Sequence, residues 1–405
     1  MKKLLIITLL MGHFALFSAC TQTSEAKHGN DRLAVANDSI RRLFNQTDSA
    51  KLAFRIDTFF RALNQKYGFN GNVLISKFGH VIYRGAFGYK TITTRDTLTL
   101  STPFQLASVS KQFTAVAIFQ LIEKGLLRID DPVYRFVPNF PYDSAITIRS
   151  LLTHRSGLPN YQYSLEKQYD HARPLSNREV VEKLIQYKPR PYYLANRKFN
   201  YNNTNYVLLA YLVEKLSGKP FRQYMDEQIF KPLGMNHTFI FDGTNTPQMM
   251  QAATGYTAGR RSLRLDYLDS VVGDKSIYST VEDIQKWDEA LYTEKLVKQS
   301  TLASAFVPAH NDRNLITKNY GMGWRLQLLP DGERLTFHTG WWHGFKNYYL
   351  HHRPDQSSII ILSNIANRYM AHLSRLQAIV FPEKAACFLK EPLEGQEEVG
   401  GGDKE

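Results

Sequence analysis

Phe104-Gln-Leu-Ala-Ser108-Val-Ser-Lys111-Gln-Phe-Thr114 is the stretch on which this chain turns. From Val109 onward apolar residues recur at Val109, Phe113, Val116, Ala117 and Leu121, the spacing of one helix face. Gly125 follows, and glycine is common just past a helix end. The stretch is therefore a loop entering a helix, with Ser108 at the helix N-terminus and Lys111 three residues on along the same face. That placement has chemical content. A serine hydroxyl is a weak nucleophile until a neighbouring base takes its proton. A lysine is charged by default, and burial together with the positive end of a helix disfavours its ammonium form. The same helix end offers backbone N–H groups to a developing oxyanion.

Ser-x-x-Lys alone says little, because it also occurs at Ser24/Lys27 and Ser164/Lys167. The Ser108 pair is set apart by its loop-to-helix junction and by two later motifs. Tyr201-Asn-Asn203 precedes a helical pattern in the middle of the chain. A phenol beside a lysine can relay a proton, since nearby positive charge lowers its pKa. Asn203 can donate and accept, which suits an amide-like substrate. The plainer alternative makes Asn203 a helix cap and Tyr201 a packed side chain. His338-Thr-Gly340 reads as the end of a strand, and its glycine would let a substrate backbone approach the strand edge. The N–H of Trp341 could then join that of Ser108 as an oxyanion donor. The plainer alternative is an ordinary strand histidine. A metal reading of His338, His343, His351 and His352 finds no metalloprotease spacing and no cysteine or carboxylate ligands nearby, so neither metal nor cofactor is expected.

Composition sets the frame. The chain has 405 residues, 43% hydrophobic and 21% charged, which is globular and long enough for a large core or two lobes. Lys2 and Lys3 precede an apolar run from Leu4 to Phe17 that is too short to span a bilayer. Phe17-Ser-Ala-Cys20 follows and resembles the lipobox of bacterial lipoproteins. That resemblance implies a signal peptide over residues 1–19, cleavage before Cys20 and acylation of its thiol. An ordinary secretion signal cut near Ala19 is the simpler alternative. Either way the mature protein is expected to be exported, and the lipoprotein reading places it in the cell envelope, anchored to a membrane. With Cys20 acylated, Cys387 has no partner for an intramolecular disulfide. Net charge is +13, or +11 after removal of Lys2 and Lys3 (13 − 2). A basic surface suits anionic lipid or wall polymer, but simple solubility is the preferred reading. No run of like charge suggests nucleic-acid binding, and nothing sets the oligomeric state.

Residues 20–47 are polar and read as a tether. Asp48 or Ser49 then caps a helix with Leu52, Ile56, Phe59, Phe60 and Leu63 on one face. Asn72 to Arg84 reads as a β-hairpin about Phe78-Gly79. From about Thr147 to Tyr267 the pattern is helical with long loops, including a capping box at Ser176-x-x-Glu179. Ser279 is read as the start of a further helix. Four strands follow, at 323–328, 334–338, 347–351 and 358–363, and a closing helix at 368–380. Their short turns favour an antiparallel sheet. The expected fold is α+β and multi-layered: a sheet lobe from 48–146 and 268–385, a mostly helical lobe from 147–267, and a disordered tail over 386–405.

Ser-x-x-Lys, Tyr-x-Asn and His-Thr-Gly, in that order, resemble the three motifs of penicillin-recognising serine enzymes. The tyrosine form of the second motif resembles the class C branch, which comprises class C β-lactamases, D-alanyl-D-alanine carboxypeptidases, D-aminopeptidases and esterases. Leu151-Leu-Thr-His-Arg-Ser-Gly-Leu-Pro, Lys231-Pro-Leu-Gly-Met, Tyr278-Ser-Thr-Val-Glu-Asp and Leu362-Ser-Asn are similar to stretches of that family. The resemblance implies a β-lactamase/transpeptidase-like fold, an antiparallel sheet flanked by helices. It also implies that Ser108 is the nucleophile, Lys111 its base, and Tyr201 a partner in proton transfer to the leaving group. Asn203 would contact substrate, and His338, Thr339 and Gly340 would line the strand edge. The reaction implied is acyl transfer through an acyl-serine on a D-alanyl peptide, β-lactam or carboxylic ester. A catalytically weak sensor on the same scaffold is the alternative. Three departures stand out. His338 replaces a lysine and should make binding pH-sensitive. Trp341-Trp342 should crowd the cleft. Lys275-Ser276 takes the place of a glycine pair.

Overall fold

The computed structural model describes residues 38–244, 246–309 and 318–390. The expected signal peptide, Cys20, the first part of the tether and the tail from 391 lie outside the described residues. Two boundaries differ from the sequence reading. Residues 38–45 are helical rather than tether, and Phe44 stacks on His80 with ring centroids 3.9 Å apart. The expected tail begins instead as a helix, Ala385–Lys390, whose Phe388 is buried against Phe381.

Helix α1, Ser49–Tyr67, is capped by Asp48 and closed by Gly68 in the left-handed region. The strands that follow are β1 (Gly71–Lys77) and β2 (His80–Phe87), the small pair β3 (Tyr89–Thr91) and β4 (Asp96–Thr97), and β5 (Phe104–Gln105). Helix α2, Ser110–Glu123, comes next. The segment to the next strand carries α3 (Ile148–Leu152), α4 (Asn177–Tyr187) and α5 (Asn203–Ser217). Then come β6 (Phe239–Ile240), β7 (Ile277–Ser279) and α6 (Val281–Ala290). The chain closes through β8 (Lys318–Tyr320), β9 (Arg325–Leu328), β10 (Arg334–Trp342), β11 (Phe345–His352), β12 (Ser357–Ser363) and α7 (Leu373–Val380).

Seven strands form one sheet in the order β2-β1-β12-β11-β10-β9-β8, with every neighbouring pair antiparallel. The chain's early hairpin thus joins its late meander along β1 and β12. Successive side chains on a strand point to opposite faces, and both faces here are covered. On β12, Ile359 and Ile361 pack with Ile56 and Phe60 of α1 and with Leu376 and Val380 of α7. Ile360 and Leu362 face the other way, into the core around α2 and α6. This is why Ile359-Ile-Ile-Leu362 lacks the alternation of a half-exposed strand. Helix α2 is central, with every residue from Ser110 to Leu121 buried, and Phe113 stacks on Trp287 of α6 at 3.9 Å.

Local signals were strong where chemistry is local. The β1–β2 turn places Phe78 and Gly79 at φ 53° and 75°, the two left-handed residues a tight hairpin loop demands. Thr147 and Ser176 each head a complete capping box. Some boundaries moved. Thr280, not Ser279, caps α6. The closing helix begins at Leu373, after a tighter turn over Tyr369–His372. Strand β10 runs on to Trp342, so His338-Thr-Gly340 lies inside a strand rather than at its end.

Candidate active site

A second, three-stranded sheet in the order β5-β7-β6 delivers the chain to Ser108. Leu106 N–H donates to Ile277 O at 2.7 Å. Ala107 then takes a left-handed φ of 49°, a strained conformation for a residue with a Cβ. It turns the chain into the short 3-10 turn Ala107–Val109 that opens α2. Ser108 and Lys111 are both buried. Lys111 Nζ donates to Ser108 Oγ at 3.0 Å and to the main-chain oxygen of Asp274 at 2.9 Å. Its amine lies 4.9 Å from the centroid of the Tyr201 ring and 5.7 Å from that of Tyr206. The helix thus pairs nucleophile and amine, and the loop ahead of β7 supplies the carbonyl that fixes the amine.

The facing wall is assembled from distant stretches. Asn202 caps α5, its side chain accepting from Thr204 N. The capping role expected for Asn203 therefore falls one residue earlier, and Asn203 is left to donate to Gln162 Oε1 at 2.8 Å. Asn202 N–H also donates to His154 Nδ1 at 3.0 Å, and the His154 ring lies 4.3 Å from that of Tyr201. Tyr201 in turn stands 6.3 Å from the His338 ring. His338 is fully buried. Its Nδ1 lies 2.6 Å from Thr339 O and its Nε2 3.0 Å from Tyr320 Oη. A carbonyl accepts only, so Nδ1 carries the proton and Nε2 accepts from the Tyr320 hydroxyl. Burial, then Arg325, then Lys111 hold the His338 pKa well below that of a free imidazole. His154 is held down by burial and by Lys111, His338 and Arg325. The pH-sensitive binding expected of His338 is thus corrected: the ring stays neutral because it is dry and faces cations. Arg325, opposite Phe337 in the β9–β10 register, holds its guanidinium 5.0 Å from the Tyr201 ring centroid.

Gly340 has a reason other than the expected one. A Cβ there would lie 2.2 Å from Leu106 O and 3.3 Å from Ala107 Cβ. The protein's own nucleophile loop makes a close approach here. Strand β10 pairs with β9 only over 334–337, so Thr339, Gly340 and Trp341 continue past that partner along the loop bearing Ser108.

Residues 56–380 match the family described as Beta-lactamase. The chain belongs to the β-lactamase family. It is 35% identical to penicillin-binding protein 4* of Bacillus subtilis over 76% of this chain and 71% of that protein. It is 30% identical to a teichoic acid D-alanine hydrolase of Staphylococcus aureus over 62% of this chain and 60% of that one. The octameric penicillin-binding protein homologue from Pyrococcus abyssi superposes with a TM-score of 0.70 at 25% identity, covering 84% of this chain and 79% of the other. The family is one of serine hydrolases, and a lysine amine on a serine hydroxyl is the pairing such chemistry needs.

Within this β-lactamase-family site the two tryptophans part company. Trp342 turns inward, its Nε1 donating to Asp269 Oδ1 at 2.8 Å. Trp341 is 37% exposed, with Lys346 Nζ 5.4 Å from its ring centroid. Trp341 is thus the exposed member of the pair, and Trp342 is tied to Asp269. Ser276 adopts the left-handed φ of 77° that favours glycine, and its hydroxyl donates to Asp269 O and Val271 O. One hydroxyl proton shared between two carbonyls thus ties Ser276 to the backbone ahead of it. The four histidines grouped in sequence do not converge: His351 meets Asp288, and His352 meets Asp355 and Glu333. Among the described residues, Asp266, Asp269 and His343 place donor atoms within 4.8 Å of one another. Asp269 already accepts from Trp342, Asp266 N–H and Gln105. Arg325, Gln162 and Asp274 have no local signature, and His154 lies in the family-like stretch Leu151 to Pro159 without being singled out. They matter through what they face.

Proposed function

We propose that this protein is an exported, lipid-anchored serine hydrolase that forms an acyl-Ser108 intermediate from a small ester or amide, with D-alanyl compounds the favoured class. Its signal peptide is 1–19 and its anchor the acylated Cys20. Its sheet lobe is 48–146 with 268–385, and its helical lobe 147–267. The observation that carries the chemistry is the 3.0 Å contact between Lys111 Nζ and Ser108 Oγ. Ser108 Oγ attacks the carbonyl carbon as neutral Lys111 takes its proton. The oxyanion sits between the N–H groups of Ser108 and Trp341. On collapse the C–N or C–O bond breaks and the leaving group takes a proton relayed through Tyr201. Water then attacks the acyl ester, its proton passing back through the same groups, and Ser108 is freed. Asn203 with Gln162 binds the substrate amide, Thr339 and Gly340 align it, and neutral His338 fixes the strand.

The D-alanyl reading draws on relatives described as a teichoic acid D-alanine hydrolase and a D-amino acid amidase. His338 brings no charge to meet a β-lactam carboxylate. Arg325, on the adjoining strand, faces Tyr201. Esters and D-alanyl amides are therefore expected to turn over faster than nitrocefin. The test is a panel of nitrocefin, p-nitrophenyl esters and D-alanyl peptides against Ser108→Ala, with mass spectrometry of a fluorophosphonate-treated sample. An adduct on Ser108 and turnover that vanishes in Ser108→Ala are expected. Stoichiometric acylation without turnover would favour the sensor reading, and no adduct with any acylating probe would end both.

A further inference from the structure

The carbonyl that holds Lys111 belongs to one half of a buried ion pair. Lys111 Nζ donates to Asp274 O at 2.9 Å. The Asp274 side chain is 0% exposed and its neighbour Lys275 4%. Asp274 Oδ2 accepts from the Tyr161 hydroxyl at 3.1 Å and from Lys275 Nζ at 3.4 Å. Lys275 Nζ donates to Tyr161 Oη at 2.6 Å and stands 4.9 Å from the centroid of the Trp342 ring. Asp274 Oδ1 is buried and accepts no hydrogen bond among the described residues. A buried pair of this kind is poor evidence for stability, since well-packed apolar residues often do as well. A half-satisfied buried carboxylate needs a reason, and the acyl-transfer steps above use neither side chain.

We propose that Asp274 and Lys275 are positioning residues for Lys111: they fix the carbonyl that holds its amine, and their opposed charges set the pH at which that amine becomes a base. The inference rests on Ser108 as nucleophile and Lys111 as base. Lys111 is faced by the phenols of Tyr201 and Tyr206, by His154 and His338, and by Arg325 beside them, and by Asp274 with Lys275. Both imidazoles are held neutral and burial keeps Tyr206 protonated. Arg325 and the Asp274–Lys275 ion pair are then charged neighbours of Lys111, beside the Tyr201 phenol. The Asp274 carboxylate favours ammonium on Lys111, and Lys275 offsets it. The pair also bridges three parts of the site: the Lys111 amine through the Asp274 carbonyl, Tyr161 beside Gln162, and Trp342 at the end of β10.

The test is the acid limb of kcat/KM, which reports the free-enzyme pKa of the base. Lys275→Met leaves the carboxylate unopposed, so the limb should move up by about one pH unit, a roughly tenfold loss at pH below the limb. Asp274→Asn leaves the cation, so the limb should move down. The double variant should return towards the parent, and Lys275→Arg should keep the parent limb. At a pH above all limbs Lys275→Met should approach the parent rate, which a merely structural lesion would not allow. Should Lys275→Met fail to fold, Asp274→Asn carries the test alone by its opposite sign. Limbs that stay put, or move together, while Ser108→Ala is inactive overturn this inference alone. Turnover surviving in Ser108→Ala overturns the acyl-serine reading and this inference with it.

Discussion

Ser108 and Lys111 meet because one turn of chain brings them together. Tyr201, His338, Arg325 and Asp274 meet only because two sheets and a helical segment converge. The first wall is a local object, with one hydrogen bond of 3.0 Å fixed by a 3-10 turn running into α2. The second depends on β10 lying against the nucleophile loop at Gly340 and on Tyr201 standing between His154 and His338. The local wall supplies reactivity. The assembled wall supplies its electrostatic setting, keeping both imidazoles neutral and the base held by a carbonyl.

Damage to the two walls should look different. The largest effect is expected at the local wall. Lys111→Ala should slow acylation by about 10²–10⁴-fold, the usual range for a lost general base, without loss of folded protein by circular dichroism. A rate within a few-fold of the parent would move the base elsewhere. Gly340→Ala strikes the junction instead. Its Cβ, 2.2 Å from Leu106 O, must push β10 away from Ser108. A displacement of about 1 Å can cost roughly 10²-fold in rate, and overpacking of this kind costs about 1–3 kcal/mol in stability. Gly332→Ala is the control. Its φ of 86° is left-handed, unlike that of Gly340, but nothing lies near its Cβ, so activity should hold while stability falls slightly.

A subtler break concerns charge. Since burial and the neighbouring cations hold His338 neutral, its imidazole NMR signals should not move between about pH 6 and 8.5, the range in which a free histidine completes its titration. A titration there would mean that the assembled wall is wet. The smallest effect lies at the far end of β11. Burial lowers the His352 pKa, but bonds to Asp355 and Glu333 outweigh it and raise it overall. A raised folded-state pKa stabilises fully below the unfolded value and is lost as pH rises through the folded one. Asp355 is the reverse case. Burial raises it, yet His352 and Lys77 hold it at about 2, so its contribution is present above about pH 4 and lost towards pH 2. Thermal unfolding should therefore weaken by roughly a degree or two on each side of a plateau. His352→Gln should flatten the alkaline side and leave the activity profile in place.

Much of this was legible in the sequence, and the legible part has a pattern. The Phe78-Gly79 turn, the Ser176 capping box and the entry to α2 rest on contacts within a few residues. The three motifs in their order pointed to the family. The sequence marks Gly340 as a point of close approach but does not show that the Ser108 loop itself comes close there, because a glycine reports that something comes close without saying what. His338 reads in the sequence as a titratable imidazole, but burial first, then Arg325 from the next strand and Lys111, hold its pKa well below the free value. Arg325, Gln162 and Asp274 were not marked at all, since each acts through a neighbour remote in the chain.

The sequence by itself determined which residues carry chemistry, where most helices and turns begin, and that Lys111 follows Ser108 along one helix face. These follow from backbone hydrogen bonding and side-chain periodicity over a single turn. Only the tertiary structure decided which carbonyl holds the lysine, which cation faces Tyr201 and which loop presses on Gly340. Dielectric, charge and contact at a point are sums over everything packed around it, and here those neighbours arrive from four separate stretches of chain.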